Sequence, residues 1–134
     1  MDFDSIDKGS MPLPPAKHKI LGEIMRTLVF KVDGQKLYAN SPSDVGGLVA
    51  GTSNYIKVKF LFSEDWNGCA KVAGFESVRG EEFEPQKLDG EDSCYIPEKA
   101  LEYHEFDMKV LGKGINNYTI TTRPIRIRQF GGKK

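Results

Sequence analysis

Residues 55–62 read Tyr-Ile-Lys-Val-Lys-Phe-Leu-Phe, and this stretch decides the fold class. In an extended chain, successive side chains point to opposite faces. Lys57 and Lys59 therefore share one face, which is suited to water. The opposite face is apolar and consists of Ile56, Val58, Phe60 and Phe62. The alternation predicts a half-buried strand of an antiparallel sheet.

The segment before this strand predicts a hairpin. Residues 27–32 alternate in the same way, and Asp33-Gly34 separates them from the short run at residues 35–38. Asp-Gly between two such runs is among the strongest hairpin signals in a sequence. Residues 41–54 are rich in small and polar residues and predict a long loop that leads into the strand at 55–62.

Further short strands are predicted after it, and Pro97 predicts one short helical turn near residues 97–103 because proline suits the first turn of a helix. The predicted strands cover residues 69–76, 93–96, 106–111, 118–122 and 125–128. About seven short strands separated by turn signals predict an all-β antiparallel sandwich. Its predicted core includes Phe60, Phe62, Trp66, Phe75 and Val110. For Trp66, stacking on a sugar is the alternative to a place in the core.

Residues 1–25 predict an extended N-terminal arm, residues 26–130 the sandwich, and residues 131–134 a flexible basic tail. Three prolines among four residues favour a polyproline II path and exclude a helix. Two interpretations stay open for the arm: a floppy tail, or an element that becomes ordered on a neighbouring subunit. Its candidate partner-binding residues are Met11, Pro12, Leu13, Pro14, Pro15, Ile20 and Leu21.

The 134-residue chain carries 19 Lys and Arg against 19 Asp and Glu, so its formal net charge is zero. Dedicated nucleic-acid binders usually have a basic excess, and we therefore expect no specific nucleic-acid partner. The chain has no run of the about 18 apolar residues that span a bilayer, and we expect no membrane association. The acidic, polar start of the sequence is unlike a secretory signal, which indicates synthesis in a cytosol.

The charges are unevenly distributed along the chain. Residues 63–107 hold 4 basic and 13 acidic residues, whereas residues 108–134 hold 7 basic residues and no acidic one. Either the basic end neutralises the acidic middle within the fold, or the two patches guide contact between subunits. Candidate basic partner-binding residues are Arg123, Arg126 and Arg128. Arg126 and Arg128 would form a basic stripe with Lys57 and Lys59 if the strands that carry the two pairs were neighbours.

Residues that often carry chemistry form no recognisable motif in this sequence. His18 and His104 have no partner motif for nucleophilic catalysis and are interpreted as surface residues. The acidic runs near residues 81–84 and 89–92 do not match a calcium loop and are interpreted as solvated loops. Cys69 and Cys94 lack metal-ligand spacing, and two buried free thiols are favoured over a disulfide. We therefore expect no enzyme activity, no metal and no cofactor.

Several short motifs, taken in order, resemble a family of immunoglobulin-like β-sandwich proteins from tailed bacteriophages. The motifs are Asn54-Tyr55-Ile56-Lys57-Val58-Lys59-Phe60, Asp65-Trp66-Asn67-Gly68, Lys71-Val72-Ala73-Gly74-Phe75, Cys94-Tyr95-Ile96-Pro97, Val110-Leu111-Gly112 and Thr121-Thr122. The resemblance covers about residues 26–130. The pattern departs at Gly74, where a larger apolar residue is expected before Phe75.

The resemblance implies a non-enzymatic virion structural protein, made in the host cytoplasm. A capsid decoration protein that binds the head lattice through its N-terminal arm is the favoured interpretation. The implied partners are the major capsid protein or other virion subunits, including further copies of this chain. A tail or baseplate component remains an alternative, as does a carbohydrate-binding module for host attachment that uses Trp66, Tyr95, Tyr103 and Tyr118.

Overall fold

The computed structural model describes residues 25–41 and 45–134, and this part of the chain forms nine strands. The strands are β1 (Arg26–Asp33), β2 (Lys36–Ala39), β3 (Ile56–Phe62), β4 (Ala70–Ser77), β5 (Gln86–Lys87), β6 (Ser93–Tyr95), β7 (Glu105–Lys113), β8 (Thr119–Thr121) and β9 (Ile125–Arg128). Alternation of apolar and polar side chains produces them, as the burial of every second residue in β7 illustrates. The predicted all-β class is confirmed.

Two sheets pack on each other to make the predicted sandwich. The first sheet has the strand order β2-β1-β3-β6, and the second has the order β5-β4-β7 with β8 and β9 both paired to the far edge of β7. The inward side chains of both sheets form one continuous hydrophobic core. β7 is the central strand of the second sheet because it pairs with three others.

The predicted hairpin joins β1 and β2. Asp33 pairs with Lys36, so Gly34 and Gln35 form the two-residue turn between the strands. Gly34 has a φ of +62°, in the left-handed region that glycine adopts without steric cost. The Asp-Gly signal therefore located the hairpin, and the two turn residues lie one position later than the Asp33-Gly34 dipeptide.

The direction of β3 differs from the antiparallel pairing predicted for it. β3 runs parallel to β1, with Arg26 opposite Ile56 and Val32 opposite Phe62, and antiparallel only to β6. Parallel neighbours need a crossover of a dozen or more residues, and the connection after β2 is long enough to supply one. Alternation within one strand reports burial and carries no information on the direction of its neighbour.

The helical turn predicted near Pro97 is confirmed as a 3-10 turn at Ala100–Glu102. Three smaller features were not predicted. A second 3-10 turn occurs at Glu64–Trp66, and the two-residue strand β5 lies between the two acidic runs that were interpreted as loops. At the C-terminus, the Lys133 N–H donates to the Glu102 carbonyl at 2.8 Å, and the Lys133 carbonyl accepts from the His104 N–H at 2.7 Å. Hydrogen-bonded structure thus continues beyond the predicted boundary at residue 130.

The predicted core residues lie in or against the hydrophobic core. Phe60, Trp66, Phe75 and Val110 are each 3% exposed or less. Phe62 is half-buried at the margin, where its ring centroid lies 5.1 Å from that of Trp66. The prediction of Trp66 as a core residue is confirmed.

Trp66 joins the two sheets through contacts at both ends of its indole ring. Its Nε1–H donates to the carbonyl of Gly34, in the β1–β2 turn, at 2.8 Å. Its benzene edge lies against Gly112 of β7, so closely that a Cβ on Gly112 would sit 2.7 Å from Cζ3. Glycine at 112 is therefore required by the close approach of the indole to the backbone.

We expect the substitution Gly112→Ala to lower the free energy of unfolding by about 2 kcal/mol, because the added methyl group overpacks the core against Trp66. Chemical denaturation measures this loss. Gly74→Ala in the adjacent strand is the matched control, because its Cβ would meet Leu111 and Lys109 at ordinary contact distances of 3.6 Å or more. Equal stability of the two variants would contradict the assigned role of Gly112.

Between β8 and β9, a side-chain hydrogen bond takes the place of a backbone hydrogen bond along the edge of β7. The chain turns away from β7 at residues 122–124, and there Thr122 Oγ1 accepts from the Val110 N–H at 3.0 Å. The Thr122 N–H donates to the Val110 carbonyl at 3.0 Å. Buried backbone N–H groups are costly when unpaired, which explains a threonine at this position.

Replacement of the hydroxyl in Thr122→Val keeps the shape of the side chain and leaves the Val110 N–H without its acceptor. We expect a loss of about 1–3 kcal/mol in the free energy of unfolding. Thr121→Val serves as the control because Thr121 is exposed on β8. Native-state hydrogen exchange at Val110 provides the site-specific readout: faster exchange in Thr122→Val alone is the expected result, and unchanged exchange would refute it.

Candidate functional site

The candidate residues of the N-terminal arm, Met11, Pro12, Leu13, Pro14, Pro15, Ile20 and Leu21, lie outside the described residues. The first residue that the structure describes is Met25, which lies beside the first sheet. There the Tyr95 hydroxyl points at Met25 Sδ, at 3.8 Å. Tyr95 pairs with Lys57 at the edge of the outer face of this sheet. The chain therefore enters the domain on that outer face.

Two of the candidate arginines, Arg126 and Arg128, lie on β9 and are engaged within the domain, whereas Arg123 lies in the connection between β8 and β9. Arg126 makes two hydrogen bonds to the Asp107 carboxylate, at 2.8 and 3.1 Å, which raise the pKa of the guanidinium. Arg128 Nε donates to Glu105 at 3.1 Å. Arg123 is exposed, and its backbone N–H donates to the carbonyl of Gln35.

These contacts support the interpretation that charges neutralise locally. Arg126, Arg128 and Lys133 from the basic end each pair with a carboxylate from the acidic middle segment. The predicted basic stripe does not form, because Lys57 and Lys59 lie on β3 in the other sheet. All three pairs are at the surface, and such pairs contribute little to stability.

The aromatic residues considered for sugar stacking are dispersed or covered. Trp66 is fully buried, which removes it from any binding surface. Lys57 lies over the ring of Tyr95, at 5.6 Å from the centroid, and Lys133 lies over Tyr103 at 5.8 Å. Tyr118 packs at the β7–β8 turn. These tyrosines belong to different elements and do not form one flat platform.

The acidic loops and His104 make structural contacts. Asp89 Oδ1 accepts backbone N–H bonds from Glu91 and Ser93, which lower the pKa of its carboxyl and close the 89–93 turn. The Tyr103 hydroxyl donates to Glu81 at 3.0 Å. His104 Nδ1 lies 3.3 Å from the carbonyl of Gly131. Among the described residues, no three His, Cys, Asp or Glu side chains converge as a metal site would need.

Both cysteines are free and buried, as favoured from the sequence. The Tyr118 hydroxyl donates to the carbonyl of Asp65 at 3.0 Å, so it accepts from the Cys69 thiol, whose sulfur lies 3.2 Å away. Burial raises the pKa of the Cys94 thiol to about 12, and the nearby Asp89 carboxylate adds to the rise. The thiolate is the reactive form of cysteine, so Cys94 is inert in the folded protein.

We expect Cys94 to resist iodoacetamide at pH 8, with alkylation at least about 100-fold slower in the native than in the unfolded protein. The variant Cys69→Ser isolates its rate. The unfolded thiol ionises near pH 9 whereas the folded one keeps its proton until about pH 12. Stability therefore falls as the pH rises through this range, and the contribution disappears in Cys94→Ala. Equal native and unfolded alkylation rates would contradict the burial of Cys94.

A groove of about 550 Å³ lies on the outer face of the second sheet. Its floor is formed by Val72 and Gly74 of β4 and by Lys109 and Leu111 of β7, and the segment at residues 82–85 forms one side. That segment is held along β4 by the Phe83 N–H, which donates to the Phe75 carbonyl at 2.9 Å. The groove is open because Gly74 has no side chain above its floor. The glycine that departs from the expected pattern is thus the residue that shapes this surface.

The two ends of the groove carry opposite charges. Glu76 and Glu82 line one end, and Lys113 lies at the other, where it pairs with Ala70 across β4 and β7. Within residues 25–41 and 45–134, none of these three charged side chains makes an ion pair. Sequence reasoning missed this groove, although Gly74 within an alternating strand was its visible signal.

No helix in the described part of the chain is long and apolar enough to cross a membrane. The comparisons with known proteins give no relative from which a function can be transferred. No family model, no curated protein and no solved structure matches the chain.

Proposed function

We propose that this protein is a non-enzymatic structural component of a bacteriophage virion, and specifically a decoration protein that binds the capsid lattice through its N-terminal arm. Its partners are the major capsid protein and other virion subunits, and its location is the assembled particle. The site described above supports a role in binding and assembly rather than chemistry on a small molecule.

The observation that carries the assembly part of the proposal is the open groove on the second sheet. A largely apolar groove with charged ends suits an extended segment of protein. The polar side chains considered for chemistry, such as Asp89, Glu81 and the two thiols, are instead used in turns, hydrogen bonds and the core. The surface is thus adapted to protein contact.

The sequence motifs support the virion context. Asp65-Trp66-Asn67-Gly68, Val110-Leu111-Gly112 and Thr121-Thr122 carry the resemblance to phage sandwich proteins. The structure gives each motif a function in the fold, through the indole contact with Gly112 and the hydroxyl contact of Thr122 with β7. The arm adds scattered apolar residues and prolines, which suit docking because apolar contacts contribute most to such interfaces.

The arm is tested by deletion of residues 2–24, which lie before the first strand. We expect the shortened protein to keep its unfolding transition and to lose binding to heads formed by the major capsid protein encoded with it. Co-sedimentation with the heads measures binding, and circular dichroism verifies the fold. Reversal of exposed charge in Lys36→Glu, on β2, is the control, with little effect expected.

Decoration at wild-type affinity by the shortened, folded protein would refute the docking role of the arm. The position of the gene gives an independent check. A neighbouring major capsid gene agrees with decoration, whereas neighbouring tape-measure and baseplate genes would place the protein in the tail instead.

A further inference from the structure

We propose that the groove on the outer face of the second sheet binds residues 11–19 of a second copy of this chain, so that copies are joined by their arms. This inference rests on the proposed role of the arm as a docking element and names the partner of its proline-rich part. It is carried by the shape of the groove, its charges and the length of the connecting chain.

The composition of residues 11–19 matches the groove. The stretch Met11-Pro12-Leu13-Pro14-Pro15 is apolar, and prolines fix an extended path without the entropy loss that a flexible segment suffers on binding. In a polyproline II path, the six residue steps from Met11 to Lys17 span about 19 Å. The six steps of β4 from Ala70 to Glu76 span about 20 Å along the groove. The stretch from Met11 to Lys17 therefore matches the length of the groove.

The charges fix one orientation. Lys17 and Lys19 follow the prolines, whereas the residues before them are mainly acidic, with three Asp and one Lys in residues 1–10. With the lysines at Glu76 and Glu82, the acidic part of the arm points toward Lys113 at the opposite end. Both ends are then paired with opposite charge, which favours this register over the reverse, although Lys109 adds a positive charge to the floor between them.

The length of the connection indicates that the arm comes from a second copy. The six residue steps from Lys19 to Met25 reach at most about 22 Å. Met25 lies on the outer face of the first sheet, beside Tyr95 of β6, and β6 contacts β5 at the edge of the second sheet. The route around that edge to β4 crosses both layers, about 20 Å with their outer side chains, and then about 5 Å over the one strand spacing between β5 and β4. The arm is too short to enter the groove of its own domain.

Sedimentation velocity of the full-length protein over a range of concentrations tests the inference. We expect the wild-type chain to associate, and Gly74→Val to weaken association at least about tenfold because its methyl groups fill the groove. Gly90→Val is the matched control, since Gly90 is an exposed turn glycine with open space around it. Leu13→Asp in the arm is expected to weaken association similarly.

Mixing the two deficient proteins distinguishes two cases: a groove that binds the arm of a second copy, and a groove that binds the arm of its own chain. Gly74→Val keeps a functional arm and Leu13→Asp keeps an open groove, so the mixture is expected to form heterodimers although each protein alone is monomeric. In a second design, Glu82→Lys is expected to weaken association and to be rescued by Lys17→Glu in the partner. This design keeps the inference testable if Gly74→Val does not fold.

A wild-type chain that stays monomeric, association that is unaffected by both Gly74→Val and Glu82→Lys, or a mixture without heterodimers would overturn the inference. These outcomes are separate from failure of the proposed function. Copies that join in solution but do not bind heads would refute decoration and leave the inference intact. Copies that decorate heads but never join each other would refute the inference and leave the proposed function intact.

Discussion

The contact of the Trp66 indole with two backbone positions determines how the sheets of this sandwich meet. Its N–H donates to the carbonyl of Gly34 in the hairpin of the first sheet, and its ring lies on Gly112 in the central strand of the second. Because the ring is rigid and fully buried, it sets both the spacing and the relative position of the sheets. Phe62 covers its margin and is in turn covered by Lys71, whose Nζ lies 4.9 Å from the Phe62 centroid.

Local patterns in the sequence predicted the local parts of the fold. The alternation in residues 55–62 reports burial within one strand, and the Asp33-Gly34 dipeptide fixes a turn between adjacent strands, so both predictions held. The prediction that β3 pairs only antiparallel was wrong for its pairing with β1. The direction of β3 depends on the path of the long connection between the two strands, which no local pattern reports. The need for glycine at 112 and for a hydroxyl at 122 arises from atoms that only the folded chain brings together.

In the candidate site, too, features of one segment could be predicted and contacts between segments could not. Arg126 and Arg128 were recognised as a basic pair, but their carboxylate partners on β7 follow from the register between β7 and β9, which no local pattern encodes. The groove was missed for a related reason. Gly74 stood out as a weak point in a strand, yet a groove also requires Leu111 beside it and the 82–85 segment along its edge. An N-terminal arm was predicted from prolines and apolar residues that lie outside the described residues, and both the arm and its role are proposals.

The parallel pairing of β1 with β3 bears on how the domain acquires its fold during synthesis. The β1–β2 hairpin is local and forms in microseconds once both strands have emerged, whereas its apolar face is covered only after β7, which begins at Glu105, has been made. Long-range pairings of this kind slow folding and leave a nascent sheet exposed. On the opposite face, Lys31 and Lys59 keep that unfinished sheet charged. These lysines therefore oppose aggregation of the growing chain before the second sheet exists.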